Sequence, residues 1–167
     1  MEPMLRLITL SVAILCSSSV FAQTCDNPAG PITLPAFGVT FQSVCTGQDE
    51  FNSICQGSLT SIGTSAVYEI RNPQNLEVGL FITVDPPATY DVAIFLVGPD
   101  SCLQTSPCVA AEDSAGPGGS ESISIQPPLA AGNYYLVIDS TAAVSGCLPS
   151  QVSISAVPVT LQHFSIE

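Results

Sequence analysis

The feature that most restricts this chain is the alternation of apolar and polar residues in steps of two. Between Leu76 and Val84, the residues Leu76, Val78, Leu80, Ile82 and Val84 are all apolar. In an extended chain they share one face, because successive side chains of a strand point to opposite sides. A helix, repeating every 3.6 residues, would scatter them around its circumference. The stretches Phe37–Val44, Ala66–Ile70, Glu121–Ile125 and Gln151–Val157 repeat the pattern. Tyr90–Val97 is apolar on both faces after Asp91, as a central strand covered on both sides should be. Asn133–Asp139 follows the turn Ala131-Gly132 and is rich in β-formers, and Val109–Ala111 is a further short piece. Pro and Gly separate these segments, and helix signals are nearly absent after residue 22. The pattern predicts an all-β fold, an antiparallel β-sandwich of about eight strands.

Two local expectations follow. Gly132 should take a positive φ to enter its strand sharply, leaving Tyr134 and Tyr135 on opposite faces, one in the core and one covering the outside. The loop Ser114–Ser120, Ser-Ala-Gly-Pro-Gly-Gly-Ser, has little side-chain bulk. It should either move or approach another backbone closely.

Residues 1–22 read as a cleaved secretory signal. Arg6 is followed by the apolar run from Leu7 to Leu15, a polar stretch, and slender residues at Val20 and Ala22 before the expected cut. The run is about half the roughly 20 residues that a membrane-spanning helix needs. Ile14 and Leu15 precede Cys16, where a lipoprotein signal would place small residues. Cleavage leaves about 145 residues, one domain over 23–157. The stretch 158–167, with Leu161, Phe164 and Ile166, is expected to be an edge strand or a tail. No transmembrane segment is expected after cleavage, and the product should be secreted or periplasmic.

Removing Cys16 leaves six of the seven cysteines: Cys25, Cys45, Cys55, Cys102, Cys108 and Cys147. An even number in an exported chain predicts disulfides. A zinc site is the rival reading, but there is no Cys-x-x-Cys pair, and His163 is the single histidine. Cys102 and Cys108 are expected to pair, since the five residues between them, including Pro107, can close a tight loop. Cys25, Cys45, Cys55 and Cys147 then pair in an order that spacing leaves open.

The net charge is −12, and after residue 22 there is no lysine and one arginine, Arg71. Nucleic acid is excluded as a partner, because phosphate binding needs clustered cations. Cations and basic proteins remain, and much of the acidity serves solubility. A Ser-His-Asp triad would need its histidine in the C-terminal tail, and no Gly-x-Ser-x-Gly elbow is present. No odd thiol remains after cleavage for a cysteine nucleophile. Calcium, which takes oxygen ligands, is the one cofactor that the residue types permit. The candidate ligands are Asp91, Glu112, Asp113 and Asp139, at strand ends or in loops. The alternative for Asp91 and Asp139 is that they cap turns by accepting backbone N–H groups.

The stretch from Val67 to Asp139 resembles the bacterial pre-peptidase C-terminal domain family. The resemblance rests on Val67-Tyr68-Glu69-Ile70, on Asp91-Val92-Ala93-Ile94-Phe95-Leu96, and on Cys102 and Cys108 followed by Glu112-Asp113. Its most specific piece is Ala131-Gly132-Asn133-Tyr134-Tyr135-Leu136-Val137-Ile138-Asp139. Glu112 stands where the family pattern has Asp, and Cys45 and Cys147 have no counterpart in it. The resemblance implies a jelly-roll-like sandwich, some relatives of which bind calcium, acting as an accessory module beside a secreted peptidase.

The expected function is that of an exported, non-catalytic binding or accessory module contacting a protein, a polysaccharide or a cell surface. The alternatives are a secreted hydrolase using paired carboxylates, and an inhibitor or accessory of a separate peptidase. A concave pocket lined by close carboxylates would favour the hydrolase.

Overall fold

The computed structural model describes residues 24–34, 38–44, 51, 53, 55, 63–140 and 147–157. The expected signal segment 1–22, Cys45, His163 and the stretch 158–167 lie outside the described residues. The strands are β1 (Ala29–Thr33), β2 (Val39–Gln42), β3 (Ala66–Asn72), β4 (Gly79–Asp85), β5 (Val92–Val97), β6 (Cys108–Glu112), β7 (Glu121–Ile125), β8 (Gly132–Ser140) and β9 (Gln151–Val157). They form a five-stranded sheet of order β1-β3-β8-β5-β6 and a four-stranded sheet of order β2-β9-β4-β7. From β2 onward the chain crosses between the sheets at every connection except the one from β5 to β6, and every hydrogen-bonded neighbour is antiparallel. That winding is a jelly roll. One strand is added to the expected set: β1 lies parallel to β3 at the edge of the larger sheet.

The alternation delivers its faces as expected. Leu80, Ile82 and Val84 of β4 are buried between the sheets, together with Ile123 and Ile125 of β7 and Val152 and Ile154 of β9. Facing them from the larger sheet are Tyr68, Ile70, Ile94, Leu96, Tyr134, Leu136 and Ile138. Leu76 falls just before β4, in a bridge to Leu129. Gly132 has φ +150°, and a Cβ at this position would lie 2.6 Å from Pro99 Cβ, so the strand entry excludes any bulkier residue. Beyond it Tyr134 enters the core and Tyr135 packs on the outer face. The Ser114–Ser120 loop makes the close approach: Gly118 N–H donates to Tyr90 O at 2.9 Å, and a Cβ on Gly118 would lie 2.7 Å from Ala88 Cα.

All six residues of β5 are buried, because the larger sheet is covered on both sides. Its outer face carries a second apolar cluster of Val67, Phe95, Val97 and Val137, closed by Phe51 and Cys102. Phe51 meets Phe95 edge-on, with ring centroids 5.5 Å apart.

The expected Cys102–Cys108 disulfide is not formed. Cys102 pairs with Cys25 and Cys108 with Cys55, with Cα–Cα distances of 5.4 and 5.0 Å, inside the usual range. The physical reason lies in the covering layer. Cys25, Phe51 and Cys55 come from segments outside the sheet's ladder, and the two bonds fasten them over its outer face. The loop between Cys102 and Cys108 is closed instead by Ser106. Its Oγ accepts the Leu103 N–H at 2.7 Å and lies 2.7 Å from Ser101 Oγ, while its own N–H donates to Leu103 O at 2.9 Å. Cys147 is disulfide-bonded as well.

Candidate functional site

The four carboxylates expected to hold calcium are not brought together. Among the described residues, no group of three or more His, Cys, Asp and Glu side chains is placed to hold a metal ion. Strand register explains why. Glu112 lies opposite Ile94, and Asp139 opposite Ala93. Adjacent positions on β5 face opposite sides of the sheet, so Glu112 and Asp139 do too. Asp139 is fully buried and committed to protein partners. Its Oδ2 accepts the Ser65 hydroxyl at 2.6 Å, and its Oδ1 accepts the Ser140 N–H at 2.6 Å. The second of these bonds lies within β8 and the first is to a side chain, so among the described residues Asp139 ties β8 to Ser65 and caps no turn. Asp91 is different: its carbonyl accepts the Ser140 hydroxyl at 2.8 Å, whereas its Oδ1 is buried with no hydrogen-bond partner among the described residues.

Glu112 and Asp113 instead lie near Glu121 of β7. Glu121 is buried and accepts the Ala115 N–H at 2.6 Å. Burial raises its pKa above the ordinary carboxylate value, and the neighbouring Glu112 and Asp113 add to the rise. The arrangement holds a proton more readily than an isolated glutamate does.

A concavity lies elsewhere, beside the Cys25–Cys102 disulfide. It encloses about 520 Å³ and is lined, among the described residues, by Cys25, Asp26, Phe51, Cys102 and the stretch Leu103-Gln104-Thr105. Leu103 stands at its rim with 62% of its surface exposed. Both walls are built from short-range hydrogen bonds. On one side Asn27 N–H donates to Thr24 O at 3.0 Å and Thr24 N–H to Asn27 O at 3.3 Å, a tight turn that presents Asp26 to solvent. On the other, Ser106 holds the Leu103 backbone as described above. The base of that loop is fixed by Asp100, which has φ +57°, donates its N–H to Asn133 O at 2.6 Å and accepts Asn133 N–H on Oδ1 at 2.9 Å.

The site is therefore a rigid apolar hollow with a carboxylate at its edge and, among the described residues, no cation in its lining. Arg71 is engaged elsewhere, its guanidinium donating to both oxygens of Glu69 at 2.9 and 3.2 Å. None of the cavity's residues other than its cysteines stood out from the sequence. Only weak cues were present: Phe51 and Ile54 stand in the otherwise polar Cys45–Cys55 segment, and Leu103 in a polar cysteine loop.

No family model matches the sequence, and no curated protein matches it. Among solved structures, the chain is similar to the pre-peptidase C-terminal domain of collagenase from Bacillus anthracis, at 14% identity and a TM-score of 0.45, over 75% of this chain and 91% of that one. It is also similar to PliG from Aeromonas hydrophila, a periplasmic lysozyme inhibitor of g-type lysozyme, at 11% identity and a TM-score of 0.43, over 75% of this chain and 95% of that one.

Proposed function

We propose that the chain is an exported, non-catalytic binding module whose hollow beside Cys25–Cys102 docks a protein with a basic surface. The supporting observation is the pairing of an exposed apolar anchor, Leu103, with a preformed cavity on a chain of net charge −12. Apolar anchors seated in pockets carry most of the energy of protein interfaces. A strongly acidic surface steers basic partners toward such a contact and repels acidic ones. The walls are held by hydrogen bonds and a disulfide, so little ordering entropy is lost on docking. Export fits the disulfides, which form and persist in oxidising compartments.

The test compares immobilised mature protein with its Leu103→Asp variant, each exposed to secreted proteins at low ionic strength. The expected result is a partner of high isoelectric point, retained by the wild type, lost from the variant and released by about 0.5 M salt. Equal retention by the two proteins, or retention that ignores salt, overturns the reading.

A further inference from the structure

The chemistry of the hollow beside Cys25–Cys102 narrows down what can fill it. Its base is apolar, formed by the buried Phe51 and the disulfide, with Leu103 beside them. Its rim is polar, with Asp26 on one wall and Gln104 and Thr105 on the other.

Many of the described carboxylates are spent on the protein itself. Glu69 holds Arg71, Asp85 accepts the Ser120 hydroxyl, and Asp100 accepts the Asn133 N–H. Glu121 accepts the Ala115 N–H and Asp139 the Ser65 hydroxyl. Among the described residues nothing donates to the Asp26 side chain. The local sequence explains this. An aspartate in a turn usually bonds to the backbone N–H two residues on, but that residue is Pro28, which has no N–H to give. The Asn27 N–H is taken by Thr24, whose Oγ1 accepts it at 3.2 Å beside the Thr24 carbonyl. The Asp26 carboxylate is therefore exposed at the edge of an apolar hollow, on a turn fixed by hydrogen bonds and the adjacent disulfide.

We infer that the hollow seats a single arginine or lysine side chain of the partner, its aliphatic stem over Phe51 and Leu103 and its cation at Asp26. This rests on the docking reading and sharpens it from a basic surface to one anchoring residue. Long basic side chains lay their methylenes on apolar surface while the charged head stays at a polar rim. An apolar side chain would fill the base but shield Asp26 from water without pairing it, which costs free energy. An acidic one would meet both Asp26 and the net charge of −12. At about 520 Å³ the hollow holds a long basic side chain with room for bridging water.

A second copy of this chain does not supply the anchor. The chain has no lysine, and Arg6 lies in the expected signal. Arg71 sits on β3 between β1 and β8, its guanidinium held by Glu69. The anchoring residue belongs to a different protein.

The experiment titrates the full mature protein with Nα-acetyl-arginine methylamide and with its citrulline counterpart, which has nearly the same shape and no charge, and follows backbone amides by NMR. The arginine probe is expected to shift the amides of Asp26, Leu103 and Thr105 saturably below about 50 mM, with the citrulline probe binding about fivefold more weakly. In Asp26→Asn the two probes should bind alike at unchanged melting temperature, and Asp26→Glu should restore the preference. The inference is overturned if these amides stay still with both probes, or if the wild type does not distinguish them. It is also overturned if Asp26→Asn keeps the preference, since charge elsewhere on the protein is then responsible. The retention assay with secreted proteins separates this inference from the reading beneath it. A partner lost from Leu103→Asp but held undiminished by Asp26→Asn refutes the basic anchor and leaves the docking site standing. A partner held equally by Leu103→Asp and the wild type refutes the docking site itself.

Discussion

Phe51 and Phe95 meet edge to face at 5.5 Å, although Phe51 belongs to no strand and Phe95 lies at the centre of β5. Through this contact a segment fastened by disulfides becomes the lid of the larger sheet's outer cluster. Replacing Phe51 by alanine should lower unfolding free energy by about 3–5 kcal/mol, the usual loss for a buried aromatic. Urea denaturation measures it. A loss below about 1 kcal/mol would mean that the lid is not part of the cooperative unit.

Peptide mapping of the oxidised protein should recover Cys25 joined to Cys102 and Cys55 joined to Cys108. Cys147 should be recovered joined to Cys45. The expected signal cleavage removes Cys16, and Ser43, two residues before Cys45, exchanges hydrogen bonds with Ser150, three residues after Cys147, at 2.7 and 2.8 Å. Replacing Cys55 and Cys108 together by serine should cost about 2–4 kcal/mol, because the bond closes a long loop in the unfolded chain. Recovery of a peptide linking Cys102 to Cys108 would contradict the fold described above.

Asp139 is expected to be a structural carboxylate. Ser65→Ala removes one of its hydrogen bonds and should cost about 1 kcal/mol, while Asp139→Ala strands two buried donors and should cost about 2–4 kcal/mol. Because Glu112 and Asp139 face opposite sides of the sheet, millimolar calcium should shift the wild-type melting temperature by less than about 1 °C. A rise that disappears in the Asp139→Ala variant would show that the carboxylate serves an ion.

Glu121 gives a pH signature. Its folded pKa is raised, by burial first and then by Glu112 and Asp113, above the unfolded value of about 4.3. The folded state therefore binds the proton more tightly than the unfolded state does. Its charged form opposes folding above the folded pKa, and that opposition fades as pH falls toward the unfolded value. Glu121→Gln keeps an acceptor for the Ala115 N–H and removes the charge. The variant should melt higher than wild type at pH 7, and the difference should shrink as pH falls toward 4. A constant difference at both pH values would point to packing in place of titration.

Much of the sandwich was legible because period-two patterning is a local property. Glu121–Ile125 and Gln151–Val157 have the expected limits as strands, and β5 is buried on both faces as its unbroken apolar run required. What could not be read depended on partners distant in sequence. β1 contains Gly30 and Pro31, which argue against a strand. It exists because the edge of β3 accepts it, in a register that shifts between Ala29 and Ile32. The short-range cysteine pairing was the reasonable expectation for a six-residue spacing. It gave way because Ser106 already closes that loop and both sulfurs were needed to fasten segments that no ladder holds. Leu103 was invisible as a site residue, since an isolated leucine in a polar loop reads the same whether it is buried or presented.

The sequence by itself determined that the chain must pair its backbone laterally and bury one face of each strand, since alternation leaves no helical solution and the bases are too few for nucleic acid. Tertiary structure alone decided which strands became neighbours, which sulfurs met, and that the carboxylates of β6 and β8, on either side of β5, looked in opposite directions. The reason is that side-chain direction along one strand is fixed by chain geometry, whereas proximity between strands is fixed by how the sheets wind, and that is settled only when both faces of both sheets are covered together.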